Sequence, residues 1–236
     1  INATVSGGTF KGEITETNVK GFISGGKFVM DVTEFCVFGY KAEQSGEFYE
    51  VIALTQLEEY TIVDGELTKF VNANVIKVGT LTYQRTLPNV MKWNPLYVPF
   101  AIPMSELIDN YDVAYFNDVR GNDANGDQVL DDGTLKMELV QITNPNVILN
   151  ANYPFVFRAK TENAKALKLV LNDVELCQST ENSVVFTSLD IKCEVKGSYT
   201  RCQTGDKQYI VNTDGVWSPL DRKYYLNPYR LILTLS

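Results

Sequence analysis

The sequence predicts an all-β protein in which a short N-terminal β-solenoid-like repeat segment is followed by an antiparallel β-sandwich. Three features of the 236-residue chain predict this fold class. A repeat with paired glycines lies near the N-terminus, many short β-branched and aromatic segments are separated by turn-forming residues, and the last segment alternates apolar and polar residues. We expect residues 1–54 to form the repeats and their cap, and residues 55–236 to form the sandwich.

The repeat becomes visible when residues 5–22 are aligned with residues 23–40, because 8 of the 18 aligned positions are identical. Both copies contain the pattern Ser-Gly-Gly-x-Phe. A repeat this short cannot bury its own apolar face, so it is typical of rungs that stack on one another. Equivalent residues of stacked rungs occupy equivalent places, and Phe10 is therefore expected to stack on Phe28. The alternative is a chance pair of glycine-containing hairpins.

The rest of the chain consists almost entirely of strand signals. A turn leading into an alternating strand at 46–51 would close the repeat segment, and a boundary is expected near 55–59. The predicted sandwich strands are 81–83, 154–159, 167–171, 183–188, 208–212 and 229–236. In the last of these, every second residue from Tyr229 to Leu235 is apolar, which places one face inward. The one helical candidate is a short turn after Ser105, which can act as its N-cap.

Composition argues against several classes of function. The formal charge is −8 and no stretch concentrates basic residues, so no nucleic-acid partner is expected. There is no apolar run of 18 or more residues, so we expect no transmembrane segment. The chain contains no histidine, the commonest general acid or base near neutral pH. Carboxylates are abundant but show no glycosidase signature, and we expect the chain not to be an enzyme.

Two apolar runs, Thr80–Leu87 and Trp93–Phe100, resemble the C-terminal β-sandwich domain of Bacteroides and Prevotella cell-surface proteins. In those proteins the domain is found behind leucine-rich or β-solenoid repeats. Two later segments, Leu149–Ala159 and Tyr229–Leu235, are similar to the later strands of that domain. The resemblance therefore covers roughly residues 58–236. The Ser-Gly-Gly-x-Phe repeats look like those of bacterial surface proteins.

The resemblance implies an extracellular or cell-surface, outer-membrane-associated protein with no catalytic residues. It implies an adhesion-type module that presents or binds an extracellular protein or glycan. Membrane attachment through a removed N-terminal lipoprotein signal is a further expectation. The motifs that carry the resemblance are apolar and turn motifs, which indicate a fold and say little about chemistry.

One acidic segment has the spacing of a calcium loop. Oxygen ligands at relative positions 1, 3, 5, 7 and 9 would be Asp123, Asn125, Asp127, the backbone carbonyl of Val129 and Asp131. Two positions depart from the pattern, because Gln128 stands where the sharp turn favours glycine and Thr134 stands where a bidentate carboxylate is expected. The segment therefore predicts a calcium site, with a solvated acidic turn as the alternative.

The tryptophans suggest a second kind of site. Trp93 and Trp217 could form a flat platform on which sugar rings stack, as in many β-sandwich modules that bind glycans. The alternative is that both pack in or against the core, since Trp93 lies in an apolar run and Trp217 follows a turn.

The cysteines have no metal-ligand or redox spacing. Gly197-Ser198 suits a two-residue hairpin loop, which would set Cys193 opposite Cys202. In an oxidising compartment the facing thiols could form a disulfide, and reduced thiols across the same hairpin are the alternative.

Overall fold

The computed structural model describes residues 4–14, 21–37, 39–65, 75–87, 90–131, 134–177, 179, 182–219 and 225–236. These residues form eighteen β-strands and two short 3₁₀ helices, Thr33–Phe35 and Met104–Glu106, with no α-helix among them. The all-β prediction is therefore confirmed. The expectation that Ser105 is the N-cap of a helical turn is wrong, because Ser105 lies inside the second 3₁₀ helix, whose N-cap residue is Pro103 and which has no side-chain cap. No helix in the described part of the chain has the length and apolar character needed to cross a membrane.

The N-terminal residues form a four-stranded sheet of their own. Its strands are β1 (Val5–Phe10), β2 (Ile23–Phe28), β3 (Tyr40–Ser45) and β4 (Phe48–Ala53), and their order in the sheet is β1-β2-β4-β3. β1 and β2 are parallel, whereas β4 is antiparallel to both β2 and β3. A small hydrophobic cluster packs on this sheet, formed by Ile23, Phe28, Val32, Phe35 and Val51.

The pairing of β1 with β2 follows the sequence repeat. Val5 lies opposite Ile23 and Phe10 lies opposite Phe28, so both ends of the pairing have the same offset of 18 residues as the sequence alignment, while the register shifts by one residue in between, where Ser6 lies opposite Gly25. The predicted stacking of the two phenylalanines is confirmed, with ring centroids 4.8 Å apart and an interplanar angle of 10°. Phe28 is buried, but Phe10 is 38% exposed because β1 is the edge strand of the sheet.

Fourteen further strands surround one large hydrophobic cluster. They are β5 (Gln56–Val63), β6 (Ile76–Thr86), β7 (Asn94–Leu96), β8 (Ile102–Pro103), β9 (Tyr111–Gly121), β10 (Leu135–Gln141), β11 (Ile148–Leu149), β12 (Phe155–Ala159), β13 (Ala166–Leu176), β14 (Ser183–Ser188), β15 (Ile191–Ser198), β16 (Gln208–Val211), β17 (Trp217–Pro219) and β18 (Arg230–Leu235). The sheets have the orders β13-β6-β5, β10-β9-β12-β7, β11-β8 and β14-β15-β18-β16-β17. All six predicted strand segments coincide with observed strands.

Most strand pairs are antiparallel, as expected, but β5 and β6 are parallel, from Gln56 opposite Lys77 to Val63 opposite Gln84. This pair corrects the expectation of a purely antiparallel arrangement. The two backbones approach closely, because a Cβ atom added to Gly79 would lie 2.7 Å from the carbonyl oxygen of Glu58. Glycine at this position therefore permits the parallel contact.

The predicted hairpin between Cys193 and Cys202 is wrong. β15 continues through Gly197 and pairs with β18, which places Cys193 opposite Leu235 and not opposite Cys202. All four cysteines are free, so the structure contains no disulfide. Gly197 has a packing role, since a Cβ atom there would lie 2.0 Å from the ring of Tyr97. Glycine at this position allows the buried ring of Tyr97 to approach the backbone closely, and it does not form a turn.

Three charged side chains join the sheets inside the large cluster. Asp64, just after β5, forms two hydrogen bonds with the guanidinium of Arg230 on β18, with N–O distances of 2.6 and 2.7 Å. The Nε atom of Arg85, on β6, lies 3.7 Å from the same carboxylate. Arg85 also donates a hydrogen bond to the carbonyl of Pro95 on β7. These three charged side chains thus connect strands of three different sheets.

Burial controls the electrostatics of this cluster. Arg85 is 3% exposed and the Asp64 side chain 5% exposed. Burial lowers the pKa of the Arg85 guanidinium, and the nearby positive charge of Arg230 lowers it further. Burial also acts to lower the pKa of Arg230, but its hydrogen bonds to Asp64 outweigh that effect and raise it. One carboxylate therefore stabilises two guanidinium groups.

Asp64→Asn is expected to destabilise the fold strongly. It leaves the buried Arg85 and the partly buried Arg230 without a carboxylate, and removing one partner of a buried pair costs roughly 3–5 kcal/mol in the free energy of unfolding. Urea denaturation followed by tryptophan fluorescence measures this change. Asp112→Asn is the matched control, because Asp112 pairs with the partly exposed Arg158 at 3.0 Å and such pairs are worth about 1 kcal/mol or less. Equal losses in the two variants would contradict the structural role of Asp64.

Candidate functional site

A cavity of about 550 Å³ lies between β13 and the β8–β11 pair. Its walls are mostly aliphatic, with three carboxylate side chains from Glu106, Asp173 and Glu175 among them. Three large aliphatic side chains that line it are exposed: Ile148 is 60% exposed, Val170 51% and Val75 47%. A contiguous exposed apolar surface with a polar rim is typical of an interaction site. We call this cavity the β13 groove.

The alternation of buried and exposed side chains along β13 shifts by one residue at Asp173. Before this point the buried side chains are Leu167, Leu169 and Leu171, and after it they are Val174 and Leu176. Asp173 has a φ of +53°, in the left-handed region that aspartate tolerates better than most residues. As a result two consecutive residues, Asn172 and Asp173, both face solvent at the groove.

The chemistry of the groove suits binding through apolar contact and charge. An aliphatic group of a partner would displace water from Val170 and Ile148, which favours association by about 25 cal/mol per Å² buried. A lysine or arginine of the same partner could pair with Asp173 or Glu175 at the rim. Sequence reasoning missed this site. The available signal was Val170, an apolar residue between Lys168 and Asn172 on the outward face of an alternating strand.

The two tryptophans lie together, as a shared platform requires. Trp93 and Trp217 line one cavity of about 320 Å³, whose other walls are mainly apolar. The guanidinium of Arg158 lies 4.7 Å above the ring of Trp93 and covers one face of it. Trp217 packs against Phe116 with ring centroids 6.1 Å apart. Both rings therefore have packing contacts, and a sugar would stack on the parts that these contacts leave uncovered.

A second cavity continues beyond Trp217. It has a volume of about 300 Å³ and shares Met137, Val216 and Trp217 with the first. Val216 is largely exposed at the opening. Trp217 thus stands between two adjoining apolar cavities, where β17 faces β10 across the two large sheets.

The predicted calcium loop is folded around its own backbone. The Asp123 carboxylate accepts hydrogen bonds from the N–H groups of Gly126, Asp127 and Gln128, at 2.8 to 3.1 Å. The Asp127 carboxylate accepts from the N–H of Val129 at 2.8 Å. Gln128 has a φ of +66°, so it makes the turn for which a calcium loop favours glycine. The loop is an ordered acidic turn.

The remaining predicted ligands have similar local roles. Asn125 accepts a hydrogen bond from the N–H of Asp127, and the Asp131 carboxylate accepts one from the N–H of Ala124. Within the described residues, which leave out 132 and 133, no group of three or more acidic or cysteine side chains is arranged to hold a metal ion. Calcium binding here stays a prediction from the spacing of the oxygen ligands.

If calcium binds this loop, millimolar calcium will raise the melting temperature of chelator-treated protein. A ligand bound by the folded state alone stabilises it by mass action, by about 2.7 kcal/mol when its concentration is 100 times the dissociation constant. Asp127→Ala should remove the rise. Asp214→Ala, in another exposed acidic turn, should keep it. An unchanged melting temperature on adding calcium to the unsubstituted protein would rule out the site.

The chain matches no model of a protein family, no curated protein and no solved structure. The resemblance of its apolar runs to bacterial surface domains therefore stays an expectation from the sequence. The function has to be argued from the cavities and side chains of this chain.

Proposed function

We propose that this chain is a non-enzymatic, adhesion-type module of a cell-surface protein that presents or binds an extracellular partner. The observation that best supports the proposal is the β13 groove, where exposed aliphatic side chains meet a rim of carboxylates. The extracellular or outer-membrane-associated location is proposed on the sequence resemblance. A protein segment with aliphatic and cationic side chains fits the groove best.

The shifted pKa values of the buried groups have structural causes. Strongly shifted pKa values often mark catalytic groups, although structural networks shift them too. Here burial raises the pKa of Tyr83 and Tyr199 and lowers that of Arg85. Tyr199 donates a hydrogen bond to Asn152 at 2.6 Å, and Tyr83 donates one to Asp64 at 3.4 Å. Core packing explains these shifts, so they supply no argument for catalysis.

We also propose a two-part architecture for the chain, with a β-solenoid-like segment at 1–54 and a β-sandwich at 55–236. The parallel β1–β2 pair and the stacked phenylalanines support the first part. The second part is supported by the contact between Phe116 of β9 and Trp217 of β17, which lie in two different sheets. In this arrangement the sandwich would carry the binding surfaces at the end of a stack of repeats.

The β13 groove is expected to select cationic, aliphatic peptides from a displayed random-peptide library. Val170→Asn removes the apolar contact without changing the charge and should weaken binding of the selected peptides roughly tenfold or more, the size of effect typical of a residue at the centre of an interface. Titration calorimetry gives the affinities. Val185→Asn is the matched control, because Val185 is similarly exposed on β14 and lies outside the groove. No enrichment of peptides, or equal effects of the two substitutions, would contradict the groove as a binding site.

The second candidate function is glycan capture by a carbohydrate-binding module. Its specific support is that Trp93 and Trp217 line the same cavity. Stacking of a sugar on an aromatic face needs one ring surface free of protein contact, and Trp217 meets this requirement better than Trp93, which Arg158 covers on one face.

A glycan array tests this alternative. Specific binding by the unsubstituted protein should be abolished by Trp217→Ala and kept by Tyr225→Ala, since Tyr225 is an exposed aromatic residue that contacts Arg201 away from the tryptophan cavity. Binding that is lost only in the Trp217 variant would favour glycan capture. An array without specific signals would count against it and leave the β13 groove as the stronger site.

A further inference from the structure

We propose that the open edge of β1 is a stacking site for one more rung of the Ser-Gly-Gly-x-Phe repeat, running parallel to β1. The inference extends the proposed solenoid-like segment. It depends on the geometry of the first sheet alone, so it stands or falls separately from the ligands of the β13 groove and the tryptophan cavity.

The strands β1 and β2 repeat each other in conformation as well as in sequence. Gly8 has a φ of +102° and its counterpart Gly26 a φ of +111°. A Cβ atom added to either glycine would lie 3.3 Å from the phenylalanine ring two residues later in its own strand, Phe10 or Phe28. The two strands are therefore copies of one structural unit, and what β1 provides for β2, a further unit could provide for β1.

The other glycine of each pair, Gly7 in β1 and Gly25 in β2, has different surroundings in the two strands. A Cβ atom on Gly25 would lie 2.3 Å from the carbonyl oxygen of Ser6, because the backbone of β1 passes directly beside it. The repeat places Gly7 at the equivalent position, yet a Cβ atom there meets no atom of the described residues within 4 Å. Neither residue has a positive φ, so the backbone conformation does not require glycine at either position. A neighbouring strand explains Gly25, and a further rung would explain Gly7 in the same way.

The two sides of β2 are occupied by different neighbours, which makes the sheet asymmetric. On one side β2 pairs with β4, and Phe28 lies opposite Tyr49. On the same strand Ile23 forms an isolated parallel bridge with Cys36. β1 covers the other side of β2 and is itself the last strand of the sheet in the part of the chain that the structure describes. Phe10 stacks on Phe28 through one face and is partly exposed. The ring spacing of 4.8 Å equals the usual separation of neighbouring strands, so a third ring could continue the stack.

These observations define the occupant. It is a strand parallel to β1 that has a carbonyl oxygen at the place equivalent to Ser6, next to Gly7, and a phenylalanine at the place equivalent to Phe10. An unrelated strand would satisfy the open backbone groups of the edge but would supply neither of these matched contacts. The site therefore fits another unit of the same repeat.

The test uses the full chain with one added rung. A second copy of residues 5–22 is inserted between Thr4 and Val5, so that Phe22 of the copy precedes Val5 as Phe22 precedes Ile23. Hydrogen exchange is then measured by mass spectrometry on peptides that cover β1. Exchange of β1 should slow by roughly tenfold or more, as expected when an edge strand becomes an internal one. Peptides from β6 and β12, in the large cluster, serve as the internal reference and should not change.

Substitution of glycine gives the sharper measurement. Gly7→Ala should leave exchange of β1 unchanged in the present chain and should accelerate it in the extended chain, where the added backbone would meet the new methyl group. Gly25→Ala should accelerate exchange in both chains, because its methyl group would meet the Ser6 carbonyl in either. An 18-residue insertion with a scrambled order of the same residues is the matched control and should give no protection.

Two results would overturn the proposal. One is equal exchange of β1 in the present, extended and scrambled chains. The other is an effect of Gly7→Ala that does not depend on the added rung. Binding of peptides or glycans by the large sheets is unaffected by either result, so a failure here is distinguishable from a failure of the proposed function.

Discussion

The buried carboxylate of Asp64 is the constraint on which the arrangement of the large sheets depends. The Arg85 guanidinium is buried beside it and the Arg230 guanidinium is partly buried, and desolvation of a fully buried ion costs several kcal/mol. An ion cluster of this kind adds little net stability compared with apolar residues, but separating its members would leave a buried charge without a partner. We infer that it fixes which strands become neighbours, since β5, β6 and β18 must meet at one point for the charges to be balanced.

The first sheet is organised by a different principle. Its cluster of buried residues is small, and stacking of equivalent residues replaces a broad core. Phe28 is buried because Phe10 and the β3–β4 hairpin lie on either side of its strand. Each strand of such a stack depends on its neighbours, so the stability of β2 is set by what covers it on both edges.

The local pattern of apolar and turn-forming residues predicted the strands, whereas their pairing depends on contacts between distant parts of the chain. Alternation identified β13 because one face of it is buried, and it identified β18 although Ile232 on the opposite face is buried as well. The repeat predicted the contact of Phe10 with Phe28. Gly197 gave a false turn signal, since glycine before serine is equally suited to a turn and to a strand that passes under the ring of Tyr97. The parallel β5–β6 pair and the cavity that Trp93 and Trp217 share depend on how distant segments cross, which short-range periodicity does not encode. Periodicity also does not predict the left-handed backbone of Asp173, which places this residue beside Asn172 on the outward face of β13.

The two faces of β13 have different tasks. The inward leucines keep the core filled, while Val170 and Asn172 project away from it and form the groove wall. Substitutions on the outward face can therefore alter the shape and charge of the groove without removing a buried methyl group. The sequence of this face can vary at little thermodynamic cost, because the residues behind it hold the core.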